Sequence, residues 1–340
     1  MKSDYEHSFN DIDLDSLEAK LLLNKYNPRI TKITISDCTG TIPRDLSHFP
    51  NLREFECVNT RMRSLPIFGD SVHTILCDNN DLRIILRFPP NLLRLELCNN
   101  YIEEIPTFPL SLQSVALISC RLSSIQEDLH EGLREINVTY NRLRTFPEKL
   151  PDSLELLCIL GNFIENLPPR AGAKLAVLNC ASNRLDELPR DFATTYPGLQ
   201  EFNCLNNPIA KIDSLPDSIR DLRLDHLRLT TYRFPVPASL EAVCCDIGWV
   251  RELAKINRIL PIIGYSREPR VPGYMIRQVD RFRELYFAVK LRDRFRKWAL
   301  RSQEKRILEE LSPLKLAMYL QEHNADEADI EGATDAFFGV

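Results

Sequence analysis

From Ile30 to Asp246 the apolar residues fall on one recurring spacing, clearest in LLRLELCNNYIEEIP, from Leu92 to Pro106. Counting Leu92 as offset 0, Leu95, Leu97, Ile102 and Ile105 stand at offsets 3, 5, 10 and 13, Asn100 at offset 8 and Pro106 at offset 14. Copies begin at Ile30, Leu52, Val72, Leu92, Leu112, Leu133, Leu154, Leu175, Leu199, Ile219 and Leu240, 20–24 residues apart. A period of this length predicts a solenoid, because one unit cannot bury its apolar face alone and does so against the next. Around offsets 3 and 5 apolar and polar positions alternate, which predicts a short strand with one side buried. Stacked units then line up their strands as one parallel sheet on a concave face. The asparagine at offset 8 (Asn80, Asn100, Asn141, Asn162, Asn183, Asn207) is expected to turn inward and bond backbone groups that no ladder satisfies. Pro66, Pro106, Pro147, Pro168 and Pro189 remove a donor at offset 14, so the opposite side is expected to be extended or 3₁₀. The longest copy, with RDFATTYPG before Leu199, has room for one turn of helix.

The flanks follow other rules. Residues 1–29 carry Phe9, Ile12, Leu14, Leu17, Leu21 and Leu22 at mostly helical spacing, which predicts a helical N-terminal cap of about ten residues ending before Asn27-Pro28. After the array, residues 247–274 hold Pro261, Pro269 and Pro272 and read as a C-terminal cap and linker. From Met275 to Arg306 an amphipathic helix is expected, with Ile276, Val279, Phe282, Tyr286 and Val289 in one apolar row. A short helix near Leu314–His323 and an acidic tail complete the chain to residue 340.

The spacing matches L-x-x-L-x-L-x-x-N-x-L and so resembles the leucine-rich repeat over about two-thirds of the chain. The linking phrases LPDSLELL, LPDSIRDL and FPLSLQSV, with their paired prolines, are similar to the short repeats of bacterial effector proteins and giant DNA viruses. The resemblance implies an α/β repeat solenoid: a right-handed horseshoe of ten to eleven coils with a mostly non-helical convex side and helical elements at both ends. The segment from Phe287 to Gln321 also resembles a C-terminal element of large DNA virus proteins, through Phe295, Arg296, Trp298, Pro313, Leu316 and Leu320. That likeness implies origin rather than activity.

Composition narrows the setting. The net charge of −5 selects no partner class. No apolar run approaches the length of a membrane span, and the polar, acidic start is unlike a secretory signal. Of the ten cysteines, Cys57, Cys77, Cys180, Cys204 and Cys245 occupy core offset 5, and Cys38 and Cys120 the asparagine offset. Thiols used as small buried hydrophobes suggest a reducing, intracellular and cytoplasmic setting, the host cytoplasm if the chain is viral.

No phosphate loop, zinc-ligand pair or HExxH motif occurs, so no catalysis, metal or cofactor is expected. Short-repeat effectors can carry a ubiquitin-ligase domain with a C-x-D nucleophile, and Cys244-Cys245-Asp246 matches the letters. That triplet, however, lies inside the array as an eleventh strand, too near the C-terminus for such a domain. Residues 251–306 hold 16 Lys/Arg against 6 Asp/Glu, which leaves open a tether to nucleic acid or membrane, while residues 307–340 reverse the sign with 1 base and 8 acids.

The concave face is the candidate site. Outward offsets 2, 4 and 6 turn apolar near the middle of the array, at Ala116, Ile118, Leu156, Leu160, Val177 and Ala181. Asn137, Asn179, Glu201 and Asn203 border that strip, with Tyr140 at its edge as an anchor. An apolar centre rimmed by carboxylates fits a protein partner gripped by a monomer, with the C-terminal helix as a second contact, and the acidic rim disfavours nucleic acid there.

Overall fold

The computed structural model describes residues 6–126, 128–224, 231–232, 237, 239–240 and 242–244. In chain order the elements are β1 (Glu6–Asn10), α1 (Leu17–Asn24), β2 (Lys32–Ser36), β3 (Glu54–Val58), β4 (Thr74–Leu76), β5 (Arg94–Glu96) and β6 (Ser114–Ala116). There follow β7 (Glu135–Asn137), β8 (Leu156–Cys158), β9 (Val177–Asn179), α2 (Phe192–Thr195), β10 (Glu201–Asn203), β11 (Lys211–Ile212), β12 (Asp221–Arg223), β13 (Thr231–Tyr232) and β14 (Ala242–Cys244).

The chain divides into two compact units. In the first, β1 to β10 form a parallel sheet whose spatial order is the sequence order, one strand per coil, and β11 pairs with β13. In the second, β12 pairs in parallel with β14, Leu222 opposite Val243.

Register in the sheet is set by the repeat: Leu95 pairs with Val115, Val115 with Ile136, Ile136 with Leu157, and Leu157 with Leu178. These offset-3 residues all point inward, as do Leu97, Leu117, Val138 and Ile159 at offset 5, all four with no accessible surface. Each fully buried Leu or Ile contributes about 1.5–3 kcal/mol. Offset 13 adds Ile85, Ile125, Leu167 and Leu188 to the core, while Leu65 and Ile105 are only half-buried. The opposite side of each coil is largely extended, marked by parallel bridges such as Ser64–Ile84 and Lys149–Arg170. The longest coil adds α2, as its length suggested. There Phe192 stacks near Phe202 at 4.8 Å, and the buried Tyr196 hydroxyl donates to the Pro168 carbonyl at 2.6 Å.

A ladder of asparagines joins the coils. Asn162 Nδ2 donates to the Ile159 carbonyl of its own coil and to Val138 of the coil before, both at 3.0 Å, while Oδ1 accepts from Leu143 N at 3.0 Å. Asn100, Asn141, Asn183 and Asn207 repeat this pattern. The residue before each ladder position turns the chain inward through the left-handed region: φ is 55° at Asp37, 55° at Asn59, 53° at Asn79, 54° at Asn99, 55° at Tyr140, 68° at Gly161 and 55° at Asn206. Asn, Asp and Gly tolerate that conformation; a tyrosine there is uncommon. Serine in the linking phrases is structural as well: Ser71, Ser111, Ser153 and Ser218 donate to the offset-0 carbonyl of the preceding coil, at 2.6–2.9 Å.

At the N-terminus, β1 is present although helical spacing alone was expected. Only Phe9 is buried on β1, so alternation was too weak to read, yet it pairs along all five residues with β2. Asp11, with φ of 52°, repeats the left-handed turn, so this segment is a reduced coil. The helix α1 spans eight residues and is capped by the Ser16 hydroxyl, which accepts from Ala19 N at 3.3 Å. The expected cap and linker at 247–274, the basic helix at 275–306, the segment resembling viral proteins, and Cys245-Asp246 lie outside the described residues.

Candidate functional site on the open strand face

Pairing fixes the outward side chains in rows across the sheet. The offset-2 row runs Lys32, Glu54, Thr74, Arg94, Ser114, Glu135, Leu156, Val177 and Glu201. Offset 4 gives Thr34, Glu56, Leu76, Glu96, Ala116, Asn137, Cys158, Asn179 and Asn203. Neighbours in a row stand about 4.8 Å apart, the ladder spacing. Leu156 and Val177 are therefore adjacent, with Cys158 beside them, and Ala116 and Asn137 are adjacent as well.

The polar end of the face is internally paired. Lys32 bridges Glu54 at 3.3 Å and Glu56 at 3.5 Å, and the Ser114 hydroxyl donates to Glu135 at 2.9 Å. Asp78 Oδ1 accepts from Cys98 N at 2.9 Å. Over β8 and β9 the rows instead hold Leu156, Val177 and Cys158, and burial raises the Cys158 thiol pKa above its usual range. Three asparagines frame this apolar step. Oδ1 of Asn137, Asn179 and Asn203 accepts from the N–H two residues on, at 3.2, 3.3 and 3.3 Å. Among the described residues no acceptor meets their Nδ2 groups, so three amide donors face outward beside the strip.

Offset 6 contributes less than expected. Ala181 is 4% exposed, Leu205 7% and Thr139 8%, so the strip does not extend to Ala181. The left-handed turn at offset 7 folds the chain over these side chains; Ile118 and Leu160 keep partial exposure. Tyr140 occupies that turn, is 50% exposed, and lays its ring against Gly161, where any Cβ would overlap it. Ile118, Leu160 and Tyr140 thus follow one edge of the Leu156–Val177 step, and Glu201 ends its row beside Val177. The amide donors were legible only as the letter Asn; that their oxygens are used locally required the structure.

A recess of about 1040 Å³ lies away from these rows. Its walls are the repeat prolines Pro147, Pro168 and Pro189 with Arg144, Lys149, Glu165 and Glu187. It follows from the spacing of successive loops and carries both signs of charge, so it selects no ligand.

No protein-family profile matches the chain. It is 30% identical over 213 residues to Podocan-like protein 1 of Homo sapiens, a match covering 57% of this chain and 37% of that protein, so the chain spans well under half of that relative's length. Among solved structures it is similar to the functional domain of InlJ from Listeria monocytogenes, described as including a cysteine ladder, with 21% identity, a TM-score of 0.52, and 68% of this chain and 51% of that chain covered. It is also similar to a chain of the LRIM1/APL1C complex, with 18% identity, a TM-score of 0.52, and 100% and 86% covered. Such identities speak for the fold, and they agree with the one-strand coil, the inward leucines and the asparagine ladder. The chain has the leucine-rich-repeat fold.

Proposed function

We propose that the chain is a non-catalytic binding scaffold that holds a protein partner on the open face of β6 to β10. The observation that carries this reading is the adjacency of the Leu156–Val177 apolar step to the outward Nδ2 groups of Asn137, Asn179 and Asn203. Apolar surface gives a partner something to desolvate, and fixed amide groups along its border donate to the partner's carbonyl oxygens in register, which matches the apolar centre and polar rim of protein interfaces. Ala116, Ile118, Leu160 and Tyr140 extend the contact, with Glu201 at its rim. The LRIM1/APL1C complex, in which a chain of similar fold stands in an assembly, supports the class of partner. The chain acts as a monomer in this reading. Six buried free thiols among the described residues support a reducing, intracellular setting.

The test is quantitative affinity capture with the full chain and with a Leu156→Asp/Leu160→Asp variant whose circular dichroism matches the parent. Proteins depleted at least about tenfold from the variant are the expected partners, since hot-spot losses exceed 1–2 kcal/mol. Equal recovery of every captured protein removes this face from the account.

A further inference from the structure

A second surface lies one turn beyond the asparagine ladder. At offset 9 the coils carry Arg61, Asp81, Tyr101, Arg121, Arg142, Phe163 and Arg184 in succession. Where Asn holds offset 8, the offset-9 N–H joins the coil before: Tyr101 N donates to Leu82 O, Arg142 N to Leu122 O and Phe163 N to Leu143 O, each at 2.8 Å. These side chains therefore stack at about the ladder spacing of 4.8 Å. The Arg121 guanidinium lies 4.3 Å from the Tyr101 ring centre, Arg83 lies 5.8 Å from the same ring, and Arg184 lies 4.7 Å from Phe163. Arg61 and Arg121, in the two coils where Thr60 and Cys120 replace the asparagine, have left-handed φ of 56° and 83°. Among the described residues none of Arg121, Arg142 and Arg144 is in an ion pair, and all three are exposed.

We infer that Arg121, Arg142 and Arg144 form a binding site for a short acidic segment of a protein, distinct from the strand face. Stacking on Tyr101 restrains the Arg121 guanidinium and leaves its N–H fork open to a carboxylate. The length of the site decides the class of ligand. Glu103 and Glu104 on one side, and Glu165 and Asp186 on the other, flank the three arginines along the repeat. A long polyanion would run onto those carboxylates, whereas two or three acidic side chains end before them. Tyr101 is already engaged by Arg121 at 4.3 Å and Arg83 at 5.8 Å from its ring centre, which argues against its serving as a stacking platform for single-stranded nucleic acid.

The probe is a triglutamate peptide with blocked termini added to the full chain, with phenylglyoxal modification of arginines mapped by mass spectrometry. The peptide is expected to slow modification of Arg121, Arg142 and Arg144 by about fivefold or more, an effect erased by high salt, with Arg53 and Arg170 unchanged. Protection should persist in the Leu156→Asp/Leu160→Asp variant, which separates this site from the strand face, and fall away in Tyr101→Ala. Unchanged modification of the three arginines overturns the proposal, as does equal or stronger protection by an oligothymidylate of about twenty nucleotides.

Discussion

Replacing Asn162 by alanine tests how the coils are held together. Asn162 is 4% exposed and joins two coils through its amide. Its removal does not strip every partner. The Val138 carbonyl keeps Asn141 Nδ2 at 2.9 Å, the Ile159 carbonyl keeps Asn183 Nδ2 at 2.9 Å, and the Leu160 carbonyl keeps Tyr140 N at 2.8 Å. Leu143 N alone loses its acceptor. One orphaned buried donor costs about 1–3 kcal/mol, and the weakened second bonds add roughly 1 kcal/mol, so the expected loss is about 2–4 kcal/mol. The converse substitution is available in the same ladder. At Cys120 the thiol reaches the Leu97 carbonyl at 2.9 Å, but sulfur supplies no acceptor equivalent to Oδ1, and among the described residues Ile102 N is without a partner. Cys120→Asn is expected to gain about 1 kcal/mol by accepting from Ile102 N. Urea unfolding followed by circular dichroism measures both, and hydrogen exchange at the Leu143 and Ile102 amides reports each change locally. Loss below about 1 kcal/mol in Asn162→Ala, with Leu143 protection intact, would refute the ladder as a determinant of stability.

Other expectations follow from single contacts. Gly161→Ala should lower stability by about 1–3 kcal/mol in the same urea assay, because the position has a left-handed φ and the new methyl meets the Tyr140 ring. Ser153→Ala, which loses the 2.6 Å bond to the Leu133 carbonyl, should cost about 1 kcal/mol, and a neutral result would show that the linking-phrase serine is dispensable. Burial pushes the thiol pKa of Cys57 and Cys120 up to about 12 and of Cys98 up to about 11. Unfolded thiols ionise near about 8.5, so the folded state binds more protons above that pH. The stability they contribute is complete below about pH 8.5 and is lost as pH rises toward about 11–12; urea midpoints flat across pH 8–11 in a Cys-bearing chain would contradict this.

The scaffold was legible because identical physical demands recur in every coil. Leu95, Leu97 and Asn100 are interchangeable with their counterparts one period away, so repetition averages out local ambiguity. The covered offset 6 was not legible, since it depends on where the turn residue folds the chain. Ala181 illustrates this: its alternation with Asn179 predicts an outward side chain, and the left-handed Ser182 that follows closes over it. The strand β1 escaped notice because a single buried residue, Phe9, stands in for a full apolar pattern and its pairing partner lies beyond the segment. The arginine row was hidden for another reason. Its members share an offset but not a residue type, and only the ring contacts reveal that Tyr101 and Arg121 act together.

The central claim concerns which face meets the partner, and a photocrosslinker placed on each side decides it. Benzoylphenylalanine at position 156, on the open strand face, is expected to form a covalent adduct with the protein that the parent chain captures. The same group at position 166, exposed on the opposite side of the same coil, should give none. Adducts at 166 and not at 156, or equal yields at both, would contradict binding through the Leu156–Val177 strip.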